Sequence, residues 1–278
     1  MRLFLYYFDM ELNYLFMDEK SRIEERSPLV SSEEFPEWIL YEDSDLLVVN
    51  KPGWLVCHPS KNGPWSSLVG AGREYSGADR LYLAGRLDRE TSGVVLLGKN
   101  LDAGKTWQRA VEKRETHRSY LAILKGELNK KKEVETHIGN DPDSPVFVKQ
   151  RVTQSSRKSK LAQTTFMPLV FRKGHTLVRI TTQTGRKHQI RVHAQHICCP
   201  LVGDKLYGDD ENLYLEFCQN GWTNELAGTL AMHRQALHSS TFGMKNGAMF
   251  NAPVAMDMEM FCINEMALSL AEVKAVQG

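Results

Sequence analysis

Nine residues, Gly85-Arg86-Leu87-Asp88-Arg89-Glu90-Thr91-Ser92-Gly93, run without a spacer into the apolar stretch Val94-Val95-Leu96-Leu97. A short apolar run bounded by turn residues predicts a buried strand. A charged loop bracketed by glycines must therefore sit directly on the hydrophobic core, where an unpaired charge is costly. Any fold of this chain has to supply partners for Asp88 and its neighbours. A free aspartate has a pKa of about 3.9; a nearby arginine lowers it by roughly 1–3 units, while burial raises it. Asp88 between arginines can thus stay ionised at neutral pH, which suits nucleophilic or general-base work. Taken alone, the Arg-x-Asp-Arg pattern favours a salt-bridged turn.

Composition narrows the classes. The 278 residues allow one large domain or two small ones, and 42% hydrophobic with 25% charged residues describes an ordinary globular chain. No apolar run reaches the roughly 18 residues of a membrane helix. The stretch Leu3 to Phe8 is short and closes on Asp9 and Glu11, a poor secretory signal. Cys57, Cys198, Cys199, Cys218 and Cys262 form no C-x-x-C pair, so reduced thiols and a cytoplasmic setting are expected. The net charge of +1 hides an asymmetry: residues 1–50 hold 12 acidic and 4 basic side chains. From Ser144 to Gly203 there are 11 lysines and arginines and no aspartate or glutamate. Such a span points to a surface facing a polyanion.

Residues 1–36 are acidic, aperiodic and broken by Pro28 and Pro36, and are read as an N-terminal extension; residues 37–278 form a single domain. Strands are expected at Leu46–Val49, Val94–Leu97, His117–Leu124, Leu161–Met167, Thr176–Thr182 and Ala236–Phe242. Helices are expected from Pro64 to Glu74, from about Leu101 to Arg114 with Asn100 as its cap, over Lys187–Ile197, and over Glu265–Ala275. Loops are expected at Lys130–Lys132, Asn140–Asp143 and Gln154–Lys160. Runs of strands interrupted by single helices predict an α+β fold with a largely antiparallel mixed β-sheet core and flanking helices and loops.

Two further clusters bear chemistry. In Thr184-Gly185-Arg186-Lys187-His188-Gln189-Ile190-Arg191-Val192-His193, a glycine turn opens a helix, and Lys187 and Arg191, four apart, would share a face. His193 and His196 lie close to Cys198-Cys199, but no carboxylate completes a metal set, and core or RNA-facing histidines with buried thiols are the simpler reading. Tyr120, inside the His117–Leu124 strand, is either a core aromatic or a platform for a stacked base. There is no P-loop, dinucleotide fingerprint, serine nucleophile elbow or H-E-x-x-H pattern.

Together these blocks resemble the RluA-type family of RNA pseudouridine synthases. Leu47 to Gly53 with His58-Pro59, Arg86 to Gly93, Arg118-Ser119-Tyr120, Thr184 to His193, Gly203-Asp204-Lys205-Leu206-Tyr207-Gly208 and Arg234-Gln235-Ala236-Leu237-His238 follow in the family's order, covering about Trp38 to Phe261. The resemblance implies the pseudouridine synthase fold and an isomerase acting on uridine in structured RNA, either tRNA or rRNA. Asp88 would be the catalytic aspartate, Arg191 its basic partner, and Tyr120 would pack on the flipped base. Arg86 would enter the RNA, Leu87 and Ile190 would line the pocket, and Arg186, Lys187, His188 and Gln189 would contact substrate. Neither metal nor cofactor is implied; a monomer with no membrane attachment is expected. Gly85 stands where the family commonly has histidine, and Lys187 replaces a small hydroxyl residue. Residues 1–36 are too few for the accessory RNA-binding domain that many members carry. A catalytically silent RNA-binding or chaperone protein on the same fold is the alternative, and a metal-dependent hydrolase a distant third.

Overall fold

The computed structural model describes residues 29–58 and 63–276. Most of the expected N-terminal extension lies outside the described residues. Of the part within them, Val30 and Phe35 are buried in a core cluster with Leu47, Val49 and Leu97.

The core is one mixed sheet of eleven strands. In chain order these are β1 (Ile39–Glu42), β2 (Leu46–Lys51), β3 (Tyr82–Leu83), β4 (Ser92–Gly98), β5 (Thr116–Lys125), β6 (Lys132–Asn140), β7 (Gln150–Thr153), β8 (Lys160–Arg172), β9 (His175–Thr182), β10 (Leu237–Met244) and β11 (Met249–Asn251). The spatial order is β1-β2-β4-β10-β5-β9-β8-β6-β7, with β3 beside β4 and β11 beside β10. Every pairing is antiparallel except β4 with β10, which is parallel. The α+β expectation with a largely antiparallel mixed sheet is borne out.

The apolar run that opened the sequence is the centre of β4, and all seven residues of that strand are buried. A continuous rather than alternating apolar run means that both faces are covered. Val95 and Leu97 pack with Leu47 and Val49 on one face; Val94 and Leu96 pack with Val48 and Trp107 on the other. Gly93, at φ +107°, lies against β10 so closely that a Cβ there would stand 2.2 Å from the Ser239 carbonyl oxygen. Gly85 has neither a positive φ nor a close neighbour, so only one of the two bracketing glycines is required by the backbone.

Helices flank the sheet: α1 (Leu68–Ser76), α2 (Leu101–Glu112), α3 (Gln189–His196), α4 (Asn212–Asn220), α5 (Asn224–Thr229), α6 (Met256–Asn264) and α7 (Leu270–Ala275). Asn100 caps α2 as expected, its side chain accepting from the Ala103 N–H at 2.9 Å. Trp107 and Ala110 of that helix are buried, whereas Leu101 is exposed.

Several expectations need correction. The helix read from Pro64 is a 3-10 turn over Pro64–Ser66, followed by α1, which Ser67 caps through the Gly70 N–H. The helix read from Lys187 begins only at Gln189, because His188 adopts a left-handed conformation at φ 55°. Lys187 therefore shares no helical face with Arg191. The helix expected over Glu265–Ala275 is only α7, started at Leu270 by a capping box between Ser269 and Glu272, with Ala267 at φ 54° before it. Strands β1, β3, β6, β7 and β11 and helices α4, α5 and α6 lie outside the expected elements. In β6 only Val134, Ile138 and Gly139 are buried, and lysine, glutamate and histidine dilute the β-forming signal.

Candidate active site

The loop between β3 and β4 carries Asp88, and four side chains from distant segments hold it. Lys51, at the end of β2, is buried and donates to the carbonyls of Pro52 (2.7 Å), Leu55 (2.8 Å) and Arg89 (2.9 Å). Burial lowers its pKa to about 7. Arg234 donates to the Glu90 carbonyl at 3.0 Å while its other nitrogens grip Asp257. Lys205 reaches the Glu90 carboxylate at 2.8 Å, and Gln235 donates to the Thr91 hydroxyl at 2.7 Å. Hydrogen bonds to charged groups each contribute roughly 1.5–3 kcal/mol. With so many anchors the loop backbone is fixed, and Asp88 is delivered in one place.

Neither arginine adjacent in sequence makes an ion pair with Asp88. Arg89 donates to the Trp54 carbonyl at 3.0 Å, and Arg86 is exposed. The partner is Arg191 of α3, whose Nη1 stands 3.2 Å from Asp88 Oδ2. Arg191 is itself buried and makes a two-pronged pair with Asp204, Nε to Oδ2 at 2.7 Å and Nη2 to Oδ1 at 2.8 Å. Its guanidinium lies over the Tyr207 ring at 4.8 Å. Burial pushes the Asp204 carboxyl up, but Arg191 and the N–H groups of Leu206 and Tyr207 outweigh it and hold it below the usual range. Burial likewise opposes the charge on Arg191, and the two carboxylates outweigh it. One fixed cation thus faces an enclosed carboxylate, Asp204, and a partly exposed one, Asp88.

Below this fork, His188 Nδ1 lies 2.8 Å from the Tyr207 hydroxyl, which accepts from the Gln150 N–H at 2.9 Å. With its oxygen accepting from Gln150, the Tyr207 O–H has its proton available for His188 Nδ1. Burial lowers the His188 pKa to about 4, consistent with a neutral ring. Tyr120 stands in β5 with its hydroxyl paired to Thr182, and burial raises its pKa. It packs on the cluster containing Ile180 and Ile190. The charge of Asp88 acts on Tyr120, His188 and Arg191 alike, so these four groups form one electrostatic unit.

The remaining predicted residues are dispersed. Leu87 packs on the cluster of Val95 and Leu97, while Ile190 belongs to that of Tyr120. Arg186 Nε donates to the Leu161 carbonyl at 2.9 Å, and Lys187 is exposed. Gln189 is buried and its amide is fully engaged: Oε1 accepts from Thr184 and the Arg186 N–H, and Nε2 donates to Gln163 and Thr164. Thr164 Oγ1 also lies 2.9 Å from His193 Nδ1, and His193 Nε2 lies 3.0 Å from the Thr136 hydroxyl. With both ring nitrogens engaged, His193 is a core histidine. Among the described residues no group of three His, Cys, Asp or Glu side chains could hold a metal ion, and no helix is long and apolar enough to cross a membrane.

Asp204, Tyr207, Lys51 and Arg234 hold the site together, yet none was singled out as a site residue from sequence. Asp204 had one readable signal: it is the first acid after the sixty-residue acid-free span. That span is also less basic than it reads. Lys149 pairs with Glu211, Arg151 with Asp141 and Asp143, Arg172 with Glu272, and Arg191 with Asp204 and Asp88.

Residues 45–196 match a family model described as RNA pseudouridylate synthase. A ribosomal large subunit pseudouridine synthase D from Salmonella typhimurium is 31% identical over 87% of this chain and 72% of its own length. One from Xanthomonas campestris is 34% identical over 75% of this chain, which spans 62% of that relative. A Mycoplasma pneumoniae protein named an uncharacterized RNA pseudouridine synthase is 38% identical over 63% of this chain, which spans 56% of that relative. The solved structure of human RNA pseudouridylate synthase domain containing 4 superposes with a TM-score of 0.67 at 23% identity, covering 86% of this chain and 96% of that one, a likeness of fold.

Proposed function

Because the chain belongs to the RNA pseudouridylate synthase family, we propose that it isomerises uridine to pseudouridine in RNA, with large-subunit ribosomal RNA as the favoured substrate. The names of the relatives support the choice of RNA. The observation that carries the reading is Asp88, partly exposed on an anchored loop, 3.2 Å from a buried arginine that already has a second carboxylate. Asp88 can then leave Arg191 to react without stranding a buried cation.

In the reaction the bond from the ribose to the base nitrogen breaks, a bond from the same ribose carbon to a base carbon forms, the proton on that base carbon is lost, and the freed ring nitrogen takes up a proton. Asp88 is the reacting group, either attacking the nucleoside or taking that proton. Arg191 orients the carboxylate through its 3.2 Å contact, and Tyr120 supplies an apolar face against which the extruded base packs. Extrusion costs a few kcal/mol, and stacking on an aromatic returns roughly 1–3 kcal/mol. Phosphate contacts must therefore supply much of the net affinity. We place this unit at residues 37–278, with Val30 and Phe35 of the preceding segment packed into its core, acting as a monomer in the cytoplasm, where its ribosomal substrate and reduced thiols fit together.

The test uses RNA tritiated at the base carbon that loses its proton. Asp88→Asn is expected to reduce tritium release to background while leaving RNA binding largely intact. Full release by that variant would remove Asp88 from the chemistry. Binding without release in the wild-type chain would favour the catalytically silent alternative.

A further inference from the structure

An open cavity of about 440 Å³ lies beside the Asp88 loop, lined by Arg73, Arg80, Arg86, His58, Tyr82 and Asp79, among others. It falls outside the acid-free span, and the functional reading uses only one of its residues, Arg86. We propose that the cavity is a second RNA subsite, where Arg73, Arg80 and Arg86 take backbone phosphates of the strand that carries the target uridine. The proposal rests on the reading of the chain as an RNA-modifying enzyme.

Three features carry it. Among the described residues none of the three arginines makes an ion pair, although Asp79 lines the same cavity. Four other arginines, Arg151, Arg172, Arg191 and Arg234, are each held by a carboxylate, and what distinguishes the three here is that they line one cavity together. Three cations against one carboxylate, open to solvent, are what a phosphodiester strand would neutralise. Second, the three side chains spring from fixed backbone. Arg73 sits in the last turn of α1, closed by the Gly77 N–H to the Arg73 carbonyl at 2.9 Å. Arg80 and Arg86 flank β3, which β4 pins through Tyr82 with Gly98 and Leu83 with Leu97. Arg80 also lies over the Tyr82 ring at 5.5 Å, an arrangement that orients the guanidinium fork. Third, Arg86 is two residues from Asp88, so a strand entering at Asp88 meets this cavity with its neighbouring phosphates. The positive surroundings are felt by His58, whose pKa is lowered by burial and by Arg86.

The experiment leaves Arg86 in place and removes the other two cations. Fluorescently labelled fragments of large-subunit ribosomal RNA are titrated with wild-type chain and with Arg73→Ala/Arg80→Ala across a series of potassium chloride concentrations. Each neutralised single-strand phosphate contributes about 0.7 to the slope of log affinity against log salt. The double variant is therefore expected to bind more weakly, with a slope shallower by about 1.4. A control pair, Lys245→Ala/Lys274→Ala, is expected to leave the slope unchanged. An unchanged slope in the arginine variant, or an equal loss in the lysine control, overturns the subsite. A wild-type chain that binds the RNA tightly but releases no tritium overturns the enzymatic reading instead, and one that binds none of the fragments overturns both.

Discussion

Arg191 answers to two carboxylates, and the difference between them sets the chemistry of the site. Asp204 gives it two short bonds in full burial, and Asp88 gives one longer bond at the rim. Removing one partner of a buried pair typically costs 3–5 kcal/mol, because the other charge is left uncompensated. Asp204→Asn is therefore expected to destabilise the fold by about that much, read from the midpoint of a urea melt. It should also suppress tritium release, since Arg191 would then bind Asp88 as its only anion. Asp88→Asn should shift stability by no more than about 1 kcal/mol, because a single partly exposed pair contributes little. Equal destabilisation by the two variants would contradict this division of labour. The contact between Asp88 and Arg191 was legible in the sequence through residue type and block order, and the two stand 3.2 Å apart. Asp204 was not, because an aspartate in a tight glycine loop looks the same whether it faces water or a guanidinium.

At the scale of elements, β10 is the piece that assembles the site. It arrives late in the chain and inserts between β4, whose leading loop bears Asp88, and β5, which bears Tyr120. The parallel contact of His238 with Ser92 and of Ser239 with Gly93 is closer than a side chain allows at Gly93. Gly93→Ala combines a positive φ with a clash on the Ser239 carbonyl, and is expected to cost about 1–3 kcal/mol or more. Gly85→Ala meets open space and should melt within about 0.5 kcal/mol of wild type. Similar melts for the two variants would show that the β4–β10 approach is looser than described. Strands with continuous apolar runs and a helix with an asparagine cap could be read locally. Strand β6 could not, because a half-buried strand presenting charge to solvent carries little apolar signal.

Across the whole molecule, buried histidines tie stability to pH. Burial lowers the pKa of His188, His193 and His238 from 6.5 to about 4. Between those values the unfolded chain binds more protons than the folded one, so stability falls as pH drops through that window. Shifts of this size correspond to up to about 3 kcal/mol for each group. Melting temperature is expected to decline from pH 6.5 to pH 4 with proton uptake on unfolding, measured by calorimetry at stepped pH. A flat profile across that window would refute the burial assigned to these rings. Charge at this scale divides what is written in the chain from what folding adds. The sequence by itself determined the buried β4 strand, the capped α2 helix, the antiparallel character of the sheet and the residues able to do chemistry, because periodicity and capping act over a few neighbouring positions. Only the tertiary structure decided which charges remain spare. Lys149, Arg151, Arg172 and Arg191, counted as part of a polyanion surface, are taken by carboxylates from outside their span, while Arg73 and Arg80, which no motif singles out, are left open beside Arg86. The reason is that electrostatic interaction depends on separation in space, and a hundred residues of chain can lie between Asp88 and the arginine it faces.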